Sequence, residues 1–280
     1  MTEESFNIQG TIGISVLLPS RERTDIAFKS LQSLVKNADD ISQVEFLVAL
    51  DEDDTETQKY FTNTVVPWFS EHDLRLTVYV VPKWGYLQLH KYNNFLGSKC
   101  QGKWIIFWND DAIMEDQGWD TEILSHTGKF VVQAFDTHNH HPYSIFPILP
   151  RDWIILFEEL SCHQQTDAWV SQISYLADCM VRLKTRVTHD RFDLTGNNND
   201  STFQQREYRE GNPQDPMDIN YPATHHKKLH WTGKVVWLRK LLGQDTGFFD
   251  LWANGKVDPW QIMKDNDPND QIEQTKVKIL

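Results

Sequence analysis

Short apolar runs, each closed by a polar cluster, recur through the first two thirds of the chain. Gly13-Ile14-Ser15-Val16-Leu17-Leu18-Pro19, Val44-Glu45-Phe46-Leu47-Val48-Ala49-Leu50, Leu76-Thr77-Val78-Tyr79-Val80-Val81 and Trp104-Ile105-Ile106-Phe107-Trp108 are rich in β-branched and aromatic residues. Runs of this kind predict strands buried on both faces. Between the first two, the spacing of Phe28, Leu31, Leu34 and Val35 predicts a helix from Thr24, its expected N-cap, to about Asn37. A second helix is expected over Leu87 to Lys99. Strand, helix and strand at short intervals require crossover connections, so the fold class is α/β, a Rossmann-like, mostly parallel sheet flanked by helices.

The second half is less regular. Gly118-Trp119-Asp120 opens a short helix, and Lys129 to Phe135 reads as a strand. His138-Asn139-His140-His141-Pro142 is a polar loop, whose histidines read as solvated. Arg151 to Leu160 and Asp167 to Leu176 are expected helices, the second with Thr166 as N-cap, and Cys179 to Val187 is a late strand leading into Thr188-His189-Asp190-Arg191. Leu194 to Pro222 is rich in Gly, Asn and Asp and reads as a surface loop or a lid. Beyond it lie a basic patch at His225-His226-Lys227-Lys228, a helical stretch from Trp231 to Leu242, and a polar end from Asp258 to Leu280 expected on the surface. The chain therefore divides into residues 1–192, the main domain, and residues 193–280, a C-terminal, partly helical extension packed on it.

Charge narrows the partners. With 27 basic and 40 acidic residues the net charge is −13, which disfavours nucleic-acid binding and anionic lipid surfaces. No apolar run is long enough to span a bilayer, and Met1-Thr2-Glu3-Glu4 lacks the features of a signal peptide. The three cysteines, Cys100, Cys162 and Cys179, are widely spaced and odd in number, as expected of reduced thiols in a cytoplasmic protein. Among the 11 Trp, core packing is the default; Trp119, just after an acidic cluster, is a better candidate than Trp153 or Trp169 for stacking on a sugar.

Three predicted strands end in clusters that carry chemistry: Pro19-Ser20-Arg21-Glu22-Arg23, Asp51-Glu52-Asp53-Asp54 and Asn109-Asp110-Asp111. In a parallel sheet such ends converge on the edge where ligands bind. Arg21 and Arg23 suit a diphosphate. Asp51 or Asp53 suits a base or ribose hydroxyls, and Asp111, supported by Asp110, suits a hard divalent cation. Taken alone, the last cluster reads first as an acidic turn that ends a strand, ahead of a cation site. There is no Gly-x-Gly-x-x-Gly and no Walker loop, so dinucleotide dehydrogenases and P-loop ATPases are not supported.

The order of these features resembles the GT-A fold glycosyltransferases, in particular the family 2 group of inverting enzymes. Gly13 to Arg23 matches that group's first element, and Phe46 to Asp51 matches the strand whose terminal Asp meets the uracil. Asn94 to Gly102 followed by Trp104 to Trp108 matches the Asn-bearing helix and the strand that ends in Asp-x-Asp, with Asn109 at the first motif position and Asp111 at the second. The likeness spans roughly residues 12 to 192.

The resemblance implies a metal-dependent hexosyltransferase that moves a sugar from a nucleotide diphosphate donor to an acceptor hydroxyl with inversion. UDP-sugar is the implied donor, with UDP-glucose a guess within that class, and Mn2+ or Mg2+ is the implied cofactor. Pro19, Ser20, Arg21, Arg23, Asp51, Asp53, Asn94, Asn109 and Asp110 would bind the nucleotide sugar, and Asp111 with His189 would hold the metal. Asp167, at a helix start that favours its charged form, would be the catalytic base. Arg191 or Arg206, beside the polar loop, is a further candidate donor to the leaving group, though each reads first as an ordinary surface arginine, and Asp200 reads as a turn residue. The acceptor, whether glycan, lipid, protein or modified base, is not encoded in any motif. The alternative is a non-catalytic nucleotide-sugar or carbohydrate-binding protein on the same fold. A nucleotidyltransferase would need a Gly-rich, Lys-bearing first loop, which Pro19-Ser20-Arg21 is not.

Overall fold

The computed structural model describes residues 12–128, 130–137, 146–162, 164, 166–189, 235–236, 238–244 and 278–279. The predicted loops at His138 to Pro142 and Leu194 to Pro222, Arg191, Asp200, Arg206 and the basic patch at His225 to Lys228 lie outside them.

The sheet begins with the expected strands. β1 (Ile14–Ser20), β2 (Val44–Asp51), β3 (Arg75–Val81) and β4 (Trp104–Phe107) run parallel in the order β3-β2-β1-β4. Alternation sorts their side chains onto two cores. Val16 and Leu18 pack with Leu31 and Leu34 of α1 (Thr24–Lys36), whereas Leu17 faces Tyr92 and Leu96 of α4 (Leu89–Gly97). Buried on both faces, these strands read as continuous apolar runs. The one acid inside β2 is matched: Glu45 accepts from Ser15 Oγ and from the Gln101 backbone N–H, both at 2.5 Å. Gly102 closes the same corner, where an added Cβ would lie 2.5 Å from the Ser15 backbone nitrogen.

Several elements differ from expectation. Thr24 is the first helical residue of α1 and not its N-cap; Arg23 occupies that position without a side-chain cap. Thr166 likewise lies inside its helix, α7 (Thr166–Leu176). A helical segment between β2 and β3 was hidden by its polar composition. It comprises α2 (Thr55–Tyr60), a π turn (Phe61–Val65) and α3 (Val66–Glu71). Asp54 caps it through the Thr57 N–H, and Phe61, Val65 and Phe69 form its buried stripe. Pro67 enters where the backbone has just widened to the π turn, which accommodates a residue with no N–H to donate.

Beyond β4 the sheet becomes mixed. β5 (Ala112–Met114), β6 (Val132–Thr137), β7 (Pro147–Pro150) and β8 (Met180–His189) continue it in the order β4-β7-β6-β8-β5. β7 runs antiparallel to β4 and β6, β6 runs parallel to β8, and β5 runs antiparallel to β8. β7 was not legible because prolines bound it; Pro147 and Pro150 stand at its ends, where a missing donor is tolerated. α5 (Trp119–Ser125) is the expected short helix. α6 (Asp152–Phe157) ends three residues earlier than expected, at Glu158, which adopts φ 65°. The last described residues, Lys278 and Ile279, form β9 against β8. They are the part of the expected surface stretch, Asp258 to Leu280, that falls among the described residues. Val235 and Leu238 are buried in the core that holds Trp153 and Trp169. Among the described residues no helix is long and apolar enough to cross a membrane.

Trp119 is fully buried and its Nε1 donates to the Leu34 carbonyl at 2.9 Å, so it is a core residue and not a sugar platform. Trp153 and Trp169 are core residues as well. None of the three cysteines is in a disulfide among the described residues. Burial pushes the Cys100 thiol up to about 11 and the Cys179 thiol up to about 12. A thiol-exchange titration at pH 8 should therefore show partly buried Cys162 reacting first. Cys100 and Cys179 should become reactive only when the chain is unfolded; three fast thiols in the native protein would contradict this packing.

Candidate functional site

The parallel register brings the C-terminal ends of β1, β2 and β4 side by side, and two acid–base clusters form there. In the first, Arg21 Nη1 donates to Asp51 Oδ2 at 2.9 Å and also to Asp53, which Lys83 Nζ reaches at 3.0 Å. These bonds are the main reason Arg21 holds its proton more firmly than usual and Asp53 is acidic, at about 2. Asp51 is buried, and its other oxygen accepts from the Tyr92 hydroxyl. That hydroxyl in turn accepts the backbone N–H groups of Trp84 at 2.9 Å and Gly85 at 3.0 Å. Burial, with the bond to Asp51, raises the Tyr92 phenol well above its ordinary range. Tyr92 thus pins the turn after β3 to the end of β2. Its sequence signal was only a tyrosine one step before an Asn pair on a helix, and neither Tyr92 nor Lys83 was anticipated.

The turn after β1 is strained in a useful way. Glu22 adopts φ 58°, and its N–H is held by Asp54 Oδ2 at 2.8 Å. This bend aims Arg21 at the β2 end and Arg23 at the β4 end. Arg23 Nη1 lies 2.8 Å from Asp110 Oδ1 and 3.1 Å from Asp111 Oδ2, and Ser20 Oγ donates to Asp110 Oδ2 at 2.8 Å. Pro19 pairs with Ala49 within the sheet, one residue before this cluster.

The segment from Trp108 to Met114 is sewn to α1. Trp108 Nε1 donates to Ser30 Oγ at 2.7 Å, Ser30 Oγ donates to the Asn109 carbonyl at 3.2 Å, and Ser33 and Asn37 hold both backbone groups of Met114. This fixes β5, whose register with β8 sets Ala112 opposite His189. Nε2 of His189 consequently lies 3.0 Å from Asp111 Oδ1 and 3.3 Å from the Asn109 amide.

The two adjacent acids behave differently. Burial, reinforced by the Asp111 charge, pushes Asp110 up to about 6 against the pull of Arg23 and Ser20. Burial opposes the charge on Asp111 as well, but His189 and Arg23 outweigh it and hold that carboxyl below the usual range.

The residues expected to hold a cation fit one. Asp111 Oδ1 is buried with no hydrogen-bond donor correctly placed for it among the described residues, and the nitrogen facing it is a ligand type that pairs with oxygen around Mn2+. No cluster of three metal-ligating side chains occurs among the described residues, which place two candidate ligands, Asp111 and His189, side by side.

Asn94 is elsewhere. Its amide oxygen accepts the N–H groups of Leu160 and Ser161 at 2.9 and 3.1 Å, and its nitrogen donates to the Ser161 carbonyl at 2.7 Å. These bonds clamp the loop before α7, and neighbouring Asn93 reaches Thr166 Oγ1 at 3.3 Å. Asp167, half-buried in the first turn of α7, follows this clamp.

No family model and no curated protein sequence matches the chain. Solved structures do. The mannosyltransferase PcManGT from Pyrobaculum calidifontis, in complex with GDP-Man and Mn2+, aligns at 11% identity with a TM-score of 0.53, covering 90% of this chain and 78% of that one. S. aureus TarS 1-349 in complex with UDP aligns at 12% identity with a TM-score of 0.50, covering 94% of this chain and 93% of that one. GalNAc-T7 with UDP, GalNAc and Mn2+ aligns at 9% identity with a TM-score of 0.51, over 65% of this chain and 44% of that one. The chain has the fold of the GT-A glycosyltransferases.

The Asp110 shift has a testable sign. A buried carboxyl raised from 3.8 to about 6 destabilises the fold once ionised, so its cost appears as pH rises through that window. In metal-free buffer, Asp110→Asn should raise the thermal midpoint above wild type at pH 7.5, with the difference closing by pH 4. Arg23→Met should do the reverse. It leaves adjacent buried carboxylates without their cation and should lose about 3–5 kcal/mol of stability at pH 7.5 by chemical denaturation, and less at pH 5.

Proposed function

We propose that this protein is a metal-dependent, inverting glycosyltransferase that takes a sugar from a nucleotide diphosphate, with a UDP-sugar as donor, and places it on an acceptor hydroxyl. The observation that carries the reading is the pairing of two clusters at one sheet edge of a GT-A fold. A nucleoside-sized group has Arg21, Asp51 and Asp53 on one side, and a diphosphate has Arg23, Ser20 and Asp110 beside the Asp111–His189 pair. The solved structures with this fold that contain UDP or GDP-Man, two of them with Mn2+, support the donor class and the metal.

In this reading Asp53, on the rim, meets the ribose or base, while buried Asp51 holds Arg21 and Tyr92 in place. Arg23, which neutralises Asp110 and Asp111, exchanges part of that contact for diphosphate oxygens. Asn109 orients His189 through its amide. Asn94 contributes indirectly, by fixing the loop that leads to Asp167. A divalent cation, Mn2+ or Mg2+, would be held by Asp111 and His189 and would supply positive charge where the leaving diphosphate gains negative charge. Asp167 accepts the proton of the acceptor hydroxyl as that oxygen attacks the anomeric carbon. The bond from that carbon to the diphosphate breaks on the opposite face, which inverts its configuration. The burial of Asp110 and the partial burial of Arg23 lower the local dielectric and make the Arg23 charge count for more than in water.

Asn109 in place of an acid keeps a second reading open, a protein that binds nucleotide sugars without turnover. Calorimetry with UDP, GDP and UDP-glucose, with and without Mn2+, separates the two when combined with a UDP-release assay. Wild type should bind UDP more tightly with Mn2+, and Asp111→Ala or His189→Ala should remove that dependence. Asp167→Asn should keep UDP binding within about twofold and lose 100-fold or more of turnover. Tight UDP binding indifferent to Mn2+ and to Asp111→Ala would sink the metal role. Binding with no release across a broad acceptor panel would favour the non-catalytic reading.

A further inference from the structure

One side chain, three residues before Asp167 in the chain, is buried and unmatched among the described residues. Gln164 is 3% exposed, and neither its Oε1 nor its Nε2 has a hydrogen-bond partner among them. Other buried unmatched groups among the described residues are single atoms; only Gln164 leaves both ends of a side chain unmet. Stripping an amide of water without replacement is unfavourable, and native folds rarely do it without a partner to come.

Described residues on either side of it in the chain, Ser161 and Thr166, are anchored. Three consecutive residues of α4 make the anchors: Tyr92 donates to Asp51 at the nucleotide edge, Asn93 reaches Thr166, and Asn94 clamps Ser161. Gln164 lies between the two clamped positions, three residues before Asp167. The same helix therefore ties the Gln164 loop to the strand end where Arg21 and Asp51 meet.

We propose that Gln164 is a sugar-binding residue that takes a vicinal diol, one hydroxyl donating to Oε1 and its neighbour accepting from Nε2. An amide offers one acceptor and one donor side by side, and adjacent sugar hydroxyls offer the complement. The inference deepens the glycosyltransferase reading and rests on it for the source of the diol. Donor and acceptor sugars carry the same chemistry, so the test separates them.

Gln164→Met keeps the shape of the side chain and removes both hydrogen-bonding atoms. Calorimetry on the full chain with UDP, then UDP-glucose, and saturation-transfer NMR with methyl glucoside read the nucleotide, donor-sugar and free-sugar contributions separately. The expected result is UDP affinity within twofold of wild type, an unchanged or raised thermal midpoint, and about a tenfold loss toward UDP-glucose. If the tenfold loss falls on methyl glucoside and UDP-glucose is unmoved, the diol belongs to the acceptor and the proposal still holds. Unchanged binding of both sugar probes overturns it, since the amide was then matched by water alone. A parallel loss of UDP also overturns it, as general disturbance. If the Met variant does not fold, Gln164→Asn withdraws the amide by one methylene and should show the same sugar-selective loss. If wild type binds neither UDP nor UDP-glucose, the glycosyltransferase reading fails, and methyl glucoside binding by wild type and its loss in the variant decide Gln164 independently.

Discussion

Two neighbouring carboxylates, Asp110 and Asp111, sit together at the buried end of a strand, and much of the molecule is arranged to make that tolerable. Each would be expelled or neutralised in an apolar setting by itself. Arg23 bridges them, Ser20 donates to one and His189 faces the other. Those three groups come from the end of β1, the turn after it and the end of β8, so compensating the acid pair requires the sheet to be assembled. The same arrangement holds the Asp111 carboxyl below its usual range while its own Oδ1 stays unmatched among the described residues, which is the electrostatic setting a hard cation seeks.

The parallel half of the sheet gives direction, and the mixed half gives closure. β1, β2 and β4 deliver basic and acidic clusters to one edge because parallel strands end together. β5 then turns back along α1 and pairs with β8, which carries His189 from far along the chain to within reach of Asp111. On the opposite face α4 acts as a strut. Its residues 92 to 94 fasten the β2 end, the first turn of α7 and the loop before it, so the Arg21–Asp51 cluster and the start of the Asp167 helix are tied to one element.

Some sequence signals were strong because the physics behind them is local. A strand buried on both faces must be apolar throughout, so β1, β2 and β4 were visible within a residue or two of their ends, as was α1 by its stripe. Elements that depend on partners were not visible. β5 has three residues and exists by pairing with β8, and β7 carries prolines that argue against a strand until its ends are seen to need no donor. The α2–α3 segment has a regular apolar stripe at Phe61, Val65 and Phe69, but polar residues and Pro67 masked it. Trp119 was misplaced because position after an acidic motif says nothing of burial.

The sequence by itself determined the α/β class, the polar strand ends and the candidates Arg21, Arg23, Asp51, Asp53, Asp110 and Asp111, because strand periodicity and charge are properties of contiguous residues. Only the tertiary structure decided how these divide: Arg21 with Asp51 and Asp53, Arg23 with Asp110 and Asp111, Asn94 as a loop clamp, and Gln164 buried and unmatched among the described residues, while it brought His189 beside Asp111 as the resemblance had implied. Those assignments depend on register, burial and distance between segments up to 88 residues apart, and no local pattern encodes them.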